Sequence, residues 1–237
     1  NLLSAESNDE MMEISQRLSP ELSEHSNNIN LNEELFKRVK AVYDTRFTSA
    51  GLTPEQIRLT EEYYKNFENS GATLSPEGKE KYRELSMKLN KATLAFGQNN
   101  LKEANTFEML LADRDDLAGL PESLIDAAAA KAKLKGKEGW LVDLSAPSYT
   151  GFMKYSSRRD LREKLYKSYN KKGVTGGEFD NQGNVQKIVN LRLEIARLLG
   201  YKNYSEYSLK NSMAGNETAV FGLLDKLAES FGPAARR

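Results

Sequence analysis

The chain has 237 residues, with 34 Lys and Arg balanced by 34 Asp and Glu, 39% hydrophobic and 29% charged residues, one histidine and no cysteine. That length suits one large globular domain or two small ones with a buried core. The even charge balance speaks against a nucleic-acid binder or a polybasic membrane docker, and the missing thiols exclude disulfides. Abundant Ala, Leu, Glu and Lys with only 6 prolines favour helices. No apolar run approaches the roughly 20 residues needed to span a bilayer. The composition fits a cytoplasm or a periplasm.

The chain opens on Asn1 rather than Met and closes on Arg236-Arg237, within what reads as an unfinished helix. Both ends are therefore expected to be cut. The stretch to Leu18 is polar and acidic, and Ser19-Pro20 is expected to open a new helix, since proline suits a first helical position. From Leu31 the residues Leu35, Val39 and Val42 recur at helical spacing, flanked by Phe36 and Tyr43, until Gly51. Thr53-Pro54-Glu55-Gln56 carries a capping box with proline in the first turn. It predicts a helix to about Gly71 that buries Ile57, Tyr64 and Phe67. Ser75-Pro76-Glu77 opens the longest helix, whose seam of Tyr82, Leu85, Leu89, Ala92 and Phe96 steps by three and four. Its expected partner is the preceding helix across Gly71 to Leu74, giving a long helical hairpin.

The period then changes. Thr106 to Leu111 and Trp140 to Leu144 have partial two-residue periods and are expected to pair as a two-stranded ribbon, with a helix from Pro121 through Ala127 to Ala130 between them. From Ser157 helical spacing returns with Leu161, Leu165 and Tyr169. Gly173 to Gly177 reads as a flexible connector, and Asp180-Asn181 as a cap. Val185, Ile188, Leu191, Ile195 and Leu198 form the buried face of the next helix, which Gly200 ends. Asn216 starts the last helix, with Val220, Leu224, Leu227 and Phe231 as its stripe. The fold expected is mainly α, multi-helical, with the long hairpin and a minor β element, divided into a hairpin part over 1–105 and a mixed helical part over 106–237.

The search for chemistry finds no catalytic constellation. His25, the single histidine, stands among Ser, Glu and Asn on a polar helix and reads as a solvated residue. One histidine without cysteine cannot build an N/S zinc site, and HExxH is absent. Asp113, Asp115 and Asp116 in LADRDDLAGL lack the EF-hand spacing and read as a turn. Lys154, Arg158, Arg159, Arg162, Lys164, Lys167, Lys171 and Lys172 stand against only Asp160 and Glu163 in one segment, interleaved with Tyr166 and Tyr169. That segment suits either an anionic ligand or nucleic acid or, as the neutral total favours, a solvated face with Leu161 and Leu165 turned inward. Gly173-Val174-Thr175-Gly176-Gly177 is no phosphate loop, because no Lys-Ser or Lys-Thr follows it. The sequons at Asn203 and Asn216 matter only on a glycosylated protein.

INLNEELFKRVKAVYD, GATLSPEGKEKYRELSMKLNKATLAFGQNN, LAGLPESL, GWLVDLSAPSY and IVNLRLEIARLLGYKNYSEYSLKNSMAG occur in that order. Together they resemble the N-terminal part of the thimet-oligopeptidase-like zinc metallopeptidases, nearest to the bacterial peptidyl-dipeptidase branch. The resemblance covers nearly the whole chain. It implies a zinc peptidase as the parent, in which zinc would activate a water for hydrolysis of short peptides, with release of C-terminal dipeptides. The family's HExxH and its downstream glutamate lie C-terminal to the matched segments, so no residue of this chain is carried over as catalytic, cofactor-binding or metal-binding. The region would then form one wall of a channel that restricts substrate size, inert by itself. Its partners would be short peptides and the missing catalytic domain, with self-association through exposed stripes. The basic segment could face that channel. The competing reading is a free-standing helical interaction module without activity.

Overall fold

Ten α-helices and one antiparallel ribbon form among residues 8–48 and 51–236, the residues described in a computed structural model of the chain. Asn1 and Arg237, the two expected cuts, lie outside the described residues. Contacts gather the chain into two units, one made of the described residues up to Ala92 together with those from Lys187, the other spanning Thr93–Gln186. The boundary expected at 105/106 falls within the second unit.

In the first unit, α1 (Asp9–Asn30) is capped by Asn8 and runs straight through Pro20. The punctuation expected at Ser19-Pro20 is therefore absent, and the helix absorbs the proline although it has no N–H to donate. Helix α2 (Glu33–Thr45), capped by Asn32, buries Phe36 and half-buries Val39 and Tyr43, while Leu35 and Val42 are exposed. The aromatic flank, rather than the aliphatic stripe, is its inner face. The partner is α3 (Pro54–Asn69), whose Tyr64 ring lies 3.9 Å from Tyr43 and 5.8 Å from Phe36, and whose Phe67 packs on Phe36. Both capping-box bonds are present, from Thr53 N to Gln56 Oε1 and from Gln56 N to Thr53 Oγ1.

Helix α4 (Pro76–Thr106) is the longest, as expected, but its partner differs from the expected one. The inner face of α3 is taken by α2. The cross-helix bonds of α4 run to α1: Asn27 Nδ2 donates to Ser86 Oγ at 3.0 Å, Asn90 Nδ2 to Ser23 Oγ at 2.8 Å, and Arg83 Nη1 to Asn28 Oδ1 at 2.7 Å. As the α1 number falls by four the α4 number rises by four, so the two helices are antiparallel and in register. Leu85 and Ala92 of the predicted seam are buried, Tyr82 and Leu89 half-buried, and Phe96 exposed.

The second unit is built on strands β1 (Met109–Leu111) and β2 (Trp140–Val142), which pair antiparallel with Leu110 opposite Leu141. Between them lie a 3₁₀ turn (Arg114–Leu117) and α5 (Glu122–Leu134). The core gathers Met109, Leu111, Leu117, Val142, Leu144, Phe152 and Leu165. Phe152 comes from α6 (Ala146–Tyr155), a helix not anticipated from the sequence although Ser145 and Pro147 are a capping residue and an early-turn proline. Leu165 comes from α7 (Arg159–Asn170) and is fully buried. Gly119 has φ +87, and a Cβ there would fall on the carbonyl oxygen of Tyr155, so only glycine lets the turn before α5 lie against the end of α6.

Helix α8 (Gln182–Leu198) buries Ile188 and Ile195 and half-buries Leu191 and Leu198, whereas Val185 is exposed. Gly200, with φ +88, closes it, with Tyr201 N bonded to Ala196 O and Gly200 N to Arg197 O. Helix α9 (Tyr204–Leu209) is capped by Asn203 and α10 (Glu217–Ala235) by Asn216. Among the described residues no helix is long and apolar enough to cross a membrane.

Leu165→Ala should cost about 2–5 kcal/mol, because it removes a sealed side chain from the centre of the second unit. Leu134→Ala, at a position 86% exposed, should stay within about 0.5 kcal/mol. Urea unfolding of both variants checks the contrast, and equal costs would contradict the core assignment.

Candidate functional site

His25 is exposed on α1, as its setting suggested. Asp115 and Asp116 sit on the 3₁₀ turn, which Asp113 precedes, and Asp116 is bonded to Arg158. Among the described residues no group of three His, Cys, Asp or Glu side chains is placed to hold a metal ion. A lone exposed imidazole without thiols is a donor set that does not fit zinc, whose protein sites need three or four converging ligands.

The basic segment is largely consumed by its own neighbours. Arg158 pairs with Asp116 and, at 2.7 Å, with Asp160, and Lys167 with Glu163 at 2.5 Å. Arg162 donates to the Ser156 carbonyl, and Lys172 lies 3.9 Å over the Tyr169 ring. Arg159, Lys164 and Lys171 are exposed, and Leu161 and Leu165 turn inward. This is the arrangement of a solvated face with its leucines turned inward.

The glycine-rich loop is pinned rather than flexible. Glu103 of α4 accepts from Gly173 N and from Thr175 Oγ1, Asp180 Oδ2 accepts from Gly176 N at 2.8 Å, and Asn181 N donates to Gly173 O at 2.7 Å. Asn181, 2% exposed, donates to Phe96 O and accepts from Asn99 and Asn184. Hydrogen bonds from Gln182 and the Gly176 amide hold the Asp180 carboxyl below its ordinary value. The sequon residues Asn203 and Asn216 spend their side-chain oxygens on helix caps.

Among the described residues, a cleft and an aromatic cluster gather polar groups beside apolar surface. The first is a cleft of about 460 Å³ in the second unit, floored by Leu120, Leu124, Leu141 and Phe152. On its rim Lys131 Nζ lies 2.8 and 2.7 Å from the two oxygens of Asp143 and 2.9 Å from Ser145 Oγ, and Ser145 also donates to Asp143. Burial pushes the Asp143 carboxyl up, but the hydrogen bonds from Lys131 and Ser145 outweigh it and leave it below the ordinary value. A lysine clamped on a carboxylate is no general base for the serine. The arrangement is an ion pair that ties α5 to the end of β2.

The second place is an aromatic cluster in the first unit. Tyr201 and Tyr204 pack on Tyr207, with ring centroids 5.4 and 5.7 Å away. Tyr207 OH donates to Asn69 O, and Lys210 Nζ to Tyr201 OH. Burial, then the neighbouring Tyr207 and Tyr204, push the Tyr82 hydroxyl up to about 12. Burial likewise raises Tyr207. The Arg192 guanidinium lies 5.0 Å from the Tyr204 ring centroid. The sequence carries a readable signal for it: Arg192 falls on the stripe of Ile188, Ile195 and Ala196, where an apolar residue belongs.

Residues 152–237 match the sequence model of peptidase family M3. Over 237 residues the chain is 34% identical to oligopeptidase A of Haemophilus influenzae, with 98% of this chain and 35% of that protein aligned. It is 31% identical over 237 residues to dipeptidyl carboxypeptidase of Escherichia coli, covering all of this chain and 34% of that protein. Saccharolysin of Saccharomyces cerevisiae is 25% identical over 98% of this chain and 32% of its own length. The chain thus spans about a third of the length of the curated relatives it matches. The resemblance read from the sequence phrases is borne out at the level of the family, with oligopeptidase A matched at 34% identity beside dipeptidyl carboxypeptidase at 31%, which does not favour the peptidyl-dipeptidase branch as the nearer one.

Asp143 yields a pH-dependent prediction. Its folded carboxyl is depressed, so its stabilising contribution is fully present above the ordinary value of 3.8 and is lost as pH falls through the folded value. Asp143→Asn should therefore cost roughly 1 kcal/mol near neutrality, a figure discounted because both partners are about a third exposed. The gap to the parent chain should close below about pH 4. Thermal melts across that range check the closing, and a gap that widens with acid would contradict it.

Proposed function

From the premise that this chain is related along nearly its whole length to the peptidases of family M3, we propose that it is the non-catalytic N-terminal portion of a zinc metallopeptidase that hydrolyses short peptides. The observation that carries this reading is the proportion of the match: almost all of this chain corresponds to about a third of each relative. The zinc and its HExxH belong, in this reading, to the other two thirds. The helices here form part of the wall of a peptide channel and restrict substrate size, because rigid helices keep an aperture fixed. The name of the dipeptidyl carboxypeptidase relative supports release of C-terminal dipeptides. The cellular setting is a bacterial cytoplasm or periplasm.

The surface of α10 supports coverage by further polypeptide. Phe221, Leu223, Leu224, Leu227 and Phe231 are between 43% and 66% exposed, and no residue of the helix is buried. Of the stripe anticipated as exposed at Val220, Leu224, Leu227 and Phe231, the last three are exposed and Val220 is half-buried, and an apolar surface of this kind marks an interaction face.

Two measurements test the reading. The 237-residue chain should hold no stoichiometric zinc and leave an N-blocked tetrapeptide intact, whereas the same chain continued into the remaining two thirds of an M3 peptidase should release the C-terminal dipeptide. Stoichiometric metal and genuine turnover from the 237 residues alone would overturn it. The uncovered α10 should also drive self-association in sedimentation at tens of micromolar, relieved by Leu224→Glu with Leu227→Glu. A clean monomer that binds no hydrophobic dye would remove the support drawn from α10.

A further inference from the structure

Arg192 is a guanidinium without an anion. Its Nε is sealed from solvent and has no hydrogen-bond partner. Among the described residues it has neither a salt bridge nor a hydrogen bond; its one polar contact is the face of Tyr204. Tyr82 and Tyr207, both shifted upward, keep their protons at neutral pH and add no negative charge.

Partial burial of a cation without a counter-charge is unfavourable, and arginine cannot escape by losing its proton. The side chain is also not hidden altogether. Nε is its only nitrogen that is both sealed and unpaired, so the two terminal nitrogens keep contact with solvent. The guanidinium carbon lies over the Tyr204 ring, and among the described residues no acceptor meets the two terminal nitrogens. An edge with two parallel N–H groups matches the two oxygens of a carboxylate. The aromatic wall lowers the local dielectric and strengthens that pairing.

We propose that Arg192, backed by Tyr204, is a receptor for a carboxylate, held end-on by its two terminal nitrogens. A carboxylate has two polypeptide sources, the free C-terminus of a peptide and the side chain of a glutamate or aspartate. Either presents the same two oxygens. The proposal concerns binding, so it stands or falls separately from the peptidase reading, which turnover tests.

The Arg192 Nε–H resonance of the 237-residue chain reports the site directly. N-acetyl-Ala-Ala with a free carboxylate and N-acetyl-glutamic acid α-amide are titrated in parallel, with N-acetyl-Ala-Ala amide as the neutral control. A saturable shift with the first assigns a terminal carboxylate, and with the second a side-chain carboxylate; the amide should leave the signal in place. Added salt should weaken the shift. In calorimetric titrations, which do not need that resonance, Arg192→Gln should weaken binding at least about tenfold, and Arg192→Lys, which keeps charge but loses the planar edge, should fall between the two. The proposal is overturned if neither acid moves the resonance, or if the amide moves it as much. The acid-against-amide comparison needs no variant to fold.

Discussion

The first unit depends on a polar register between α1 and α4. Apolar packing is not directional, and a stripe such as Leu85, Leu89 and Ala92 would tolerate sliding along its partner. Ser23 and Asn27 do not. They are 7% and 6% exposed and bonded to Asn90 and Ser86. A slide of one turn, about 5.4 Å, would set one of the two against Leu94 or Tyr82 and leave a buried polar group unpaired, at about 1–3 kcal/mol. Once that register is set, Tyr82 comes beside Leu31 at the Gly71 turn. The same step carries Tyr82 into the tyrosine cluster.

What the sequence made legible divides along the same line. Features settled within four or five residues were readable: the Thr53–Gln56 box, the Gly200 stop and the Asn216 restart all stand as written. Features settled by a distant partner were not. The choice of α1 over α3 as the mate of α4 rests on serine and asparagine side chains that a search for apolar period passes over. Burial of Phe36 in place of Leu35 is decided by the two rings that α3 presents to it. Pro20 is a local signal that tertiary context overrides. Helix α6 follows directly on the strand pattern that ends at Leu144, and Ser145 and Pro147 are its local announcement.

Charge shows the same contrast between count and placement. Eight basic residues in one segment look like a binding surface until Asp116, Asp160, Glu163 and the Ser156 carbonyl are seen to occupy three of them. Most of the remaining charges of such a cluster are exposed, where water and salt screen them. Arg192 is one cation, invisible in any tally of composition. It sits on a buried stripe beside an aromatic ring, where the same charge weighs far more.

Helix α10 keeps its cap and its amphipathic period, although Gly222, Gly232 and Pro233 lie within it, and breaks one global rule. Its cap is made, and Val220, Phe221, Leu223, Leu224, Leu227 and Phe231 all fall within roughly half of the helix circumference. The opposite side carries Asp225, Lys226 and Glu229. That is the pattern of a helix laid against a core, yet its apolar side faces water. The cap and the amphipathic pattern agree with each other, so the discord lies at the tertiary level. Sequences specify a fold when all levels agree, and a level that is out of step marks a function or a missing neighbour. A solvated surface helix would gain from polar substitutions along this stripe at no cost to its cap or its helical period. That it keeps large apolar side chains there is what the proposed coverage by the rest of a longer peptidase explains.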